Sequence, residues 1–490
     1  MKNCKWHRIC FSRVLLSGLL LSAVFVSGAA FAYAAEAGTV SSGAADETGA
    51  TEEAGAAQAP AAEDSKLCIR GDIIFTPDAD AFEVHEDAWL VVVDGVVEGI
   101  YGEIPDDISG EECCIVDTGG ALIIPGFCDL HVHAPQYPQI GMGMDEELLG
   151  WLNNYTFDTE SAFADTAYAE GIYRAFVDDL AACGTTRSLI FATIHEESDK
   201  VLVDLLAEMG LGAYVGKVNM DSNSSEALTE DTAQSLVDTE DFIQYVLGLN
   251  NPLIQPVITP RFVPSCSAEL MQGLGELAAK YEVRVQSHLN ENTDEIAWVK
   301  ELFPEYDYYY QVYEAFGLFG QETTAMAHCI HLTDDEVEAL AESGVYAVHC
   351  PLSNLNLSSG LMRLRRMMNE GVTLALGSDV GGGNTLFMPQ VIASAIQVSK
   401  MVSMEYPEEE KLSLSEAFWL ATKSGGSFFG KVGSFEEGYE ADVLVIGTPE
   451  YIAEKSVEER LEWFIYDGDK EDIEQVYVAG RLVRDAEEAA

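Results

Sequence analysis

Between residues 121 and 435, short apolar, β-branched runs alternate with longer amphipathic segments, and this alternation limits the folds open to the chain. Asp165 to Ala182 precedes TTRSLIFAT, Ser267 to Tyr281 precedes VRVQSHL, and Asp334 to Ser343 precedes VYAVHCP. Strand followed by helix, repeated over roughly 300 residues, fits an α/β fold of the (β/α)8 barrel type, which takes about 250 residues before loop insertions. The flanks have a different texture. CIRGDIIFTP, AWLVVVDGVVEGIYG with its Asp94-Gly95 hairpin turn, and CCIVDTGG read as strands before the barrel, and GYEADVLVIG and IEQVYVAGRLVRD read as strands after it. The expected organisation is a barrel over 121–435 with one small appended β domain built from 66–120 and 436–490.

In such a barrel the C-terminal ends of the strands converge on one face, where the active sites of this fold lie. Five segments put a potential ligand or acid there: IIPGFCDLHVHAPQ with His131 and His133, VRVQSHLNE with His288 and Glu291, TAMAHC with His328, YAVHCPLSN with His349, and TLALGSDVGGG with Asp379. Side chains alternate along a strand, so His131 and His133 project to one side and form half of a metal site. Singly, each residue has a plainer reading. His349 suits a satisfied core histidine or one that backs the ligands without touching the ion, Glu291 a helix first turn, and Asp379 an Asx turn before a glycine run that lacks the lysine of a phosphate-binding loop. His85, His195 and His331 read as loop or surface residues. Taken jointly, the strand-end positions point to one metal-centred site.

The first 34 residues have the order of a secretory signal: Lys2, Lys5, Arg8 and Arg13, then the apolar run Val14 to Val26, then AAFAYAA. That apolar core is shorter than the roughly 20 residues a membrane span needs, so the expectation is export with cleavage after Ala32 or Ala34 and no stable span afterwards. Residues 35–65 are rich in Ala, Gly, Glu, Thr and Ser and read as a disordered acidic tether. With 83 Asp plus Glu against 26 Lys plus Arg, the formal charge is −57, a field that repels nucleic acid and anionic membranes as partners. Cys4 and Cys10 leave with the signal. None of the other eight cysteines stands in a C-x-x-C pair, and Cys128, Cys183, Cys329 and Cys350 lie in apolar runs as small buried hydrophobes. A pairing of Cys113 or Cys114 with Cys68 is the one disulfide considered.

PGFCDLHVHAPQY, SHLNEN, AHCIHL, HCPLSNLNLSSG, GSDVGGG and GYEADVLV resemble the amidohydrolase superfamily. Within it, HAPQY, LLGWLNNYTFDTES, PRFVPSCS and SHLNENTDEIAWVKELFP most resemble the guanine deaminases, over residues 66–485. The resemblance implies a barrel with a single zinc, or iron, per subunit held by His131, His133, His288 and Asp379. It also implies Glu291 as proton carrier, His328 beside the hydrolytic water and substrate, Asp379 as a further proton acceptor, a homodimer, and conversion of guanine to xanthine and ammonia. For a purine ring, Arg261 offers a fork of donors, Gln136 a donor and an acceptor, and Phe262 or Trp151 a covering face. Gly150 and Ser378 depart from the guanine deaminase pattern, which more often has Glu and Thr there, and a signal peptide is unusual for a family that is mostly cytoplasmic. Two other readings stay open: deamination of another heterocycle such as a pterin, triazine or adenine-like ring, and a non-catalytic purine- or zinc-binding protein. Cytidine-type deaminases are excluded, because their H-x-E and P-C-x-x-C zinc motif is missing.

Overall fold

The computed structural model describes residues 66–106, 108, 113–320 and 323–486. The expected signal segment and acidic tether lie outside the described residues. In chain order the strands are β1 (Lys66–Asp78), β2 (Ala81–Val93), β3 (Val96–Tyr101), β4 (Cys113–Pro125), β5 (Phe127–His133), β6 (Thr185–Phe191), β7 (Gly212–Gly216) and β8 (Val218–Asn219). They continue with β9 (Ile254–Pro260), β10 (Arg284–Leu289), β11 (Thr324–His328), β12 (Tyr346–His349), β13 (Thr373–Leu376), β14 (Val443–Ile446), β15 (Ile473–Val478) and β16 (Arg481–Asp485).

One sheet runs β5-β6-β7-β9-β10-β11-β12-β13 with every neighbouring pair parallel, and the short β8 adds to β9. Its two ends meet through the backbone just beyond β13: Asp379 N donates to His131 O (2.8 Å) and His133 N donates to Val380 O (2.9 Å). The sheet is therefore a nearly closed (β/α)8 barrel. The three amphipathic segments become its helices Thr166–Ala182, Ala268–Tyr281 and Asp334–Ser343, and Asp165, Ser267 and Thr333 accept hydrogen bonds from the first-turn N–H groups. Leu130, Leu189, Val257, Ala327, Val348 and Ala375, from six different strands, form one buried cluster with Phe428 and Val432. A cluster drawn from so many strands fills the barrel interior, as the layers of this fold require.

The second sheet has the order β16-β15-β14-β4-β1-β2-β3 and joins both ends of the described chain, as the flanking textures predict. Strand β4 stays in this sheet to Pro125, paired with β14, before the chain turns into β5. The transition needs a glycine: a Cβ on Gly126 would stand 2.3 Å from Thr186 Oγ1. Arg187 on β6 joins the sheets. Its Nε and Nη2 donate to the Asp442 carboxylate (2.7 and 2.9 Å), and Nη2 also donates to Glu440 (2.7 Å). Arg187 and Asp442 are both buried, so the acidic residue of the GYEADVLV motif serves as the partner of an interior cation.

Among the described residues no helix is long and apolar enough to cross a membrane. Cys128, Cys183, Cys266, Cys329 and Cys350 are buried, in line with a packing role. Cys68 and Cys113 are thiols whose sulfurs lie 3.2 Å apart, while Cys114 is exposed.

Candidate active site

Strand β5 carries a bulge between Asp129 and Val132, one residue more than its partner β6 has, which adjusts the aim of the histidine pair at its end. His131 Nε2 lies 3.2 Å and His133 Nε2 3.6 Å from Asp379 Oδ1, and His133 Nε2 is 3.3 Å from His288 Nε2. His131 Nε2 is buried and has no hydrogen-bond partner, although a carboxylate oxygen is this close. Close donor atoms without bonding alignment are what a set aimed at one shared point displays. Gly377 makes the approach possible, since a Cβ there would sit 2.7 Å from His131 Cβ. His328 and Asp379 adopt left-handed φ values of 73° and 48°, which turns the chain out of the strand direction at each functional residue.

Neighbouring groups fix the ring orientations. His288 Nδ1 donates to Arg261 O (2.6 Å), so its Nε2 presents a lone pair to the centre. His328 Nδ1 donates to Asn354 Oδ1 (2.9 Å). The Phe191 ring lies 4.9, 4.5 and 4.9 Å from the rings of His131, His133 and His288, walling them with apolar surface. Burial lowers the pKa values of these three histidines and keeps them neutral. For Asp379 burial opposes ionisation, but the surrounding histidines, His131 first, bring it down to about 2. Neutral imidazoles beside an ionised carboxylate form a donor set suited to a divalent ion. Donor atoms of His131, His288 and His328, and of His131, Cys350 and Asp379, lie close enough together to hold one.

Glu291 follows β10 and precedes the helix Thr293–Leu302. The carboxylate of Glu295 accepts from the backbone N–H groups of Glu291 (3.0 Å) and Asn292 (3.2 Å), and Ser359 Oγ donates to Glu291 Oε1 (3.1 Å). Burial raises the Glu291 pKa to about 7, where the group exchanges protons at neutral pH. His328 Nε2 faces both acids, 3.4 Å from Glu291 and 3.7 Å from Asp379. Burial opposes charge on His328, yet the Glu291 and Asp379 carboxylates raise its pKa.

A cavity opens beside these groups. Gln136, Trp151, Arg261 and Phe262 all line it, together with His133, His288, Glu291, His328 and Asp379. His131 lies outside the lining. Leu148, Leu152 and Leu357 complete the walls; they lie inside the motifs LLGWLNNYTFDTES and HCPLSNLNLSSG but nothing in their own chemistry singles them out. Glu160 also escaped notice: it accepts from Gln136 Nε2 and from Arg261 Nη1.

At three positions the structure adds detail. His349 is buried, but neither ring nitrogen has a hydrogen-bond partner, and burial lowers its pKa to about 3, so it is not a satisfied core histidine. His331 lies in a loop, as expected, where it is partly buried and donates from Nε2 to Ser359 O (2.7 Å). Gly150 leaves space for a neighbouring acid, because a Cβ there would stand 2.7 Å from Glu146 Oε2.

This arrangement has counterparts in known proteins. A guanine deaminase of Dictyostelium discoideum is 38% identical over 388 residues, 77% of this chain and 86% of that protein. The guanine deaminase of Escherichia coli is 36% identical over 423 residues, 83% of this chain and 93% of its own length. Among solved structures, guanine deaminase from C. acetobutylicum with guanine bound in the active site superposes with a TM-score of 0.84 at 48% identity, covering 86% of this chain and all of that one. Residues 122–483 match the amidohydrolase family, which takes in the whole barrel and every strand-end residue of the cavity. With barrel, cavity and sequence in agreement, the chain belongs to the amidohydrolase family.

Proposed function

We propose that this enzyme hydrolyses guanine to xanthine and ammonia. The observation that carries the reading is that Arg261 and Gln136, a donor fork and a donor–acceptor amide, line the same cavity as Glu291 and Asp379. A guanine ring offers such groups a carbonyl and ring nitrogens, while Phe262 and Trp151 supply aromatic surface. The extensive likeness to guanine deaminases supports the same substrate.

One zinc ion per subunit would be held by His131, His133, His288 and Asp379; iron would suit the same nitrogen and oxygen ligands. Such an ion supplies Lewis acidity that makes water a nucleophile near pH 7. The chain's own groups do the rest. Asp379, ionised, accepts a proton as water adds to the ring carbon that bears the amine. Glu291, protonated, gives its proton to the adjacent ring nitrogen, then takes the proton of the added hydroxyl and passes it to the departing amine, so the C–N bond breaks with loss of ammonia, the C–O bond becomes a carbonyl, and the proton held by Asp379 returns to Glu291. His328, held by Asn354, faces both acids and supports the charge that develops between them. Burial of the site excludes bulk water that would screen these interactions.

Two further features belong to the proposal. The basic, apolar and small-residue order of residues 1–34 favours an exported mature enzyme, and the family resemblance favours a homodimer. Purified protein incubated with guanine tests the central reading through ammonia release and the spectral change to xanthine, beside a pterin, a triazine and adenine as rival substrates. Full metal loading without turnover of guanine, but with turnover of a rival, would replace the substrate. No turnover of any would favour a binding protein.

A further inference from the structure

Glu160 lies in the short helix Phe157–Ser161 and is buried. An interior carboxylate needs partners for its oxygens. Both partners are the recognition residues: Gln136 Nε2 donates to Oε1 (2.8 Å) and Arg261 Nη1 donates to Oε2 (2.5 Å). Those two residues come from different elements, Gln136 from the segment after β5 and Arg261 from the residue after β9. Both line the cavity, and Glu160 does not.

We propose that Glu160 is a positioning residue that sets Gln136 and Arg261 as one rigid recognition edge. The proposal rests on the reading of the cavity as a guanine site. With Nε2 bonded to Glu160 and Oε1 accepting from Gly381 N (3.0 Å), the Gln136 amide has one orientation. It keeps one N–H and one lone pair for a ligand. Arg261 is held at three places: Nη1 on Glu160, the guanidinium carbon 5.6 Å from the Phe157 ring centroid, and its backbone carbonyl on His288. Its remaining N–H groups are a preset donor fork.

The pairing also sets the electrical character of the edge. The charge of Glu160 offsets that of Arg261, so the cavity gains donors without a net positive field. Such an edge favours a neutral ring with a carbonyl acceptor over an anion. It disfavours a ring that carries an amine in the carbonyl's place, because donors would then face donors.

Glu160→Gln tests this. An amide has a single acceptor oxygen, so its NH2 must face either the Gln136 amide or the Arg261 fork. We expect the KM for guanine to rise roughly 10- to 100-fold, the range for losing a hydrogen bond to a charged group, with a smaller change in kcat. Bound metal per chain and the thermal midpoint should match wild type. The second readout is selectivity against 2-aminopurine, which has the same exocyclic amine and no carbonyl, followed as substrate or competitive inhibitor. Preference for guanine should shrink in the variant, because the lost alignment serves the carbonyl. Equal losses on both compounds with a lowered thermal midpoint would assign Glu160 a purely structural role and overturn the proposal. So would a variant within twofold of wild type on guanine. A wild-type protein inert towards guanine would instead overturn the functional reading, and the proposal with it.

Discussion

Glu291→Gln isolates the proton-carrying step, because the substitution keeps shape and most contacts. Ser359 Oγ still finds an acceptor in the amide oxygen, and Glu295 still holds the backbone N–H of residue 291. Residue 291 is outside the proposed ligand set, so metal content should stay at the wild-type level. What disappears is a group that gains and loses a proton near pH 7 inside a water-poor pocket. A positioned acid or base contributes about 10² to 10⁴ in rate, and at about 1.36 kcal/mol per tenfold this is roughly 3–5 kcal/mol of barrier. The expected result is therefore a kcat lowered by two to four orders of magnitude with KM within a fewfold of wild type, since recognition sits at Arg261 and Gln136. Ammonia release under saturating guanine gives kcat, and atomic absorption on the same samples gives metal per chain. A kcat within threefold of wild type at full metal loading would remove Glu291 from proton transfer. A loss of activity that merely tracks lost metal would make it a ligand.

Other positions give independent checks. Asp379→Ala should remove both bound metal and turnover while circular dichroism stays native, and full metal occupancy in the variant would break the ligand assignment. Arg187→Met strips the buried Asp442 of its cation, leaving its Oδ1 only the Ala479 N–H at 2.9 Å. Breaking a buried pair from one side costs about 3–5 kcal/mol, so the thermal midpoint should drop clearly, and an unchanged midpoint would refute the role given to this bridge. Glutathione disulfide should oxidise the Cys68 and Cys113 thiols to a disulfide, releasing two glutathione thiols, because the sulfurs already lie 3.2 Å apart. Burial raises the Cys68 thiol to about 12, so the reaction should be slow. Peptide mapping that finds Cys114 in place of Cys113 would refute the assignment.

The barrel was legible because its signal is local and repeated. Helical segments such as 268–281 announce themselves by apolar spacing and by a capping Ser267, and the following strand by a β-branched run. The edges of the barrel were less legible. Strand β4 belongs to the appended sheet up to Pro125, and nothing in IIPGF separates the residues that pair with β14 from those that enter the barrel. That boundary depends on the close passage of Gly126 against Thr186, a contact between residues 60 positions apart.

The site divides in the same way. His131 and His133 were visible because two imidazoles one residue apart at a strand end carry a local geometric meaning, and their partners because each closes an apolar run. Asp129 stands two residues before His131 in that very strand, yet its role depends on the far side of the barrel seam. Its carboxylate accepts from Ser378 N (2.9 Å), Ser378 Oγ (2.5 Å) and His131 N (3.2 Å), which ties β5 to the turn that delivers Asp379. The hydroxyl of Ser378 is what this contact uses, and threonine carries the same hydroxyl, so the departure from the commoner residue leaves the clamp intact. Glu160 is the harder case. Read locally it is one more acid in a chain with 83 of them, and an exposed position would be the reasonable guess. Only the fold reveals that two recognition residues share its carboxylate. Residues that touch the reacting atoms must sit at strand ends and can be found by pattern, whereas residues that orient them can come from any element the barrel brings near.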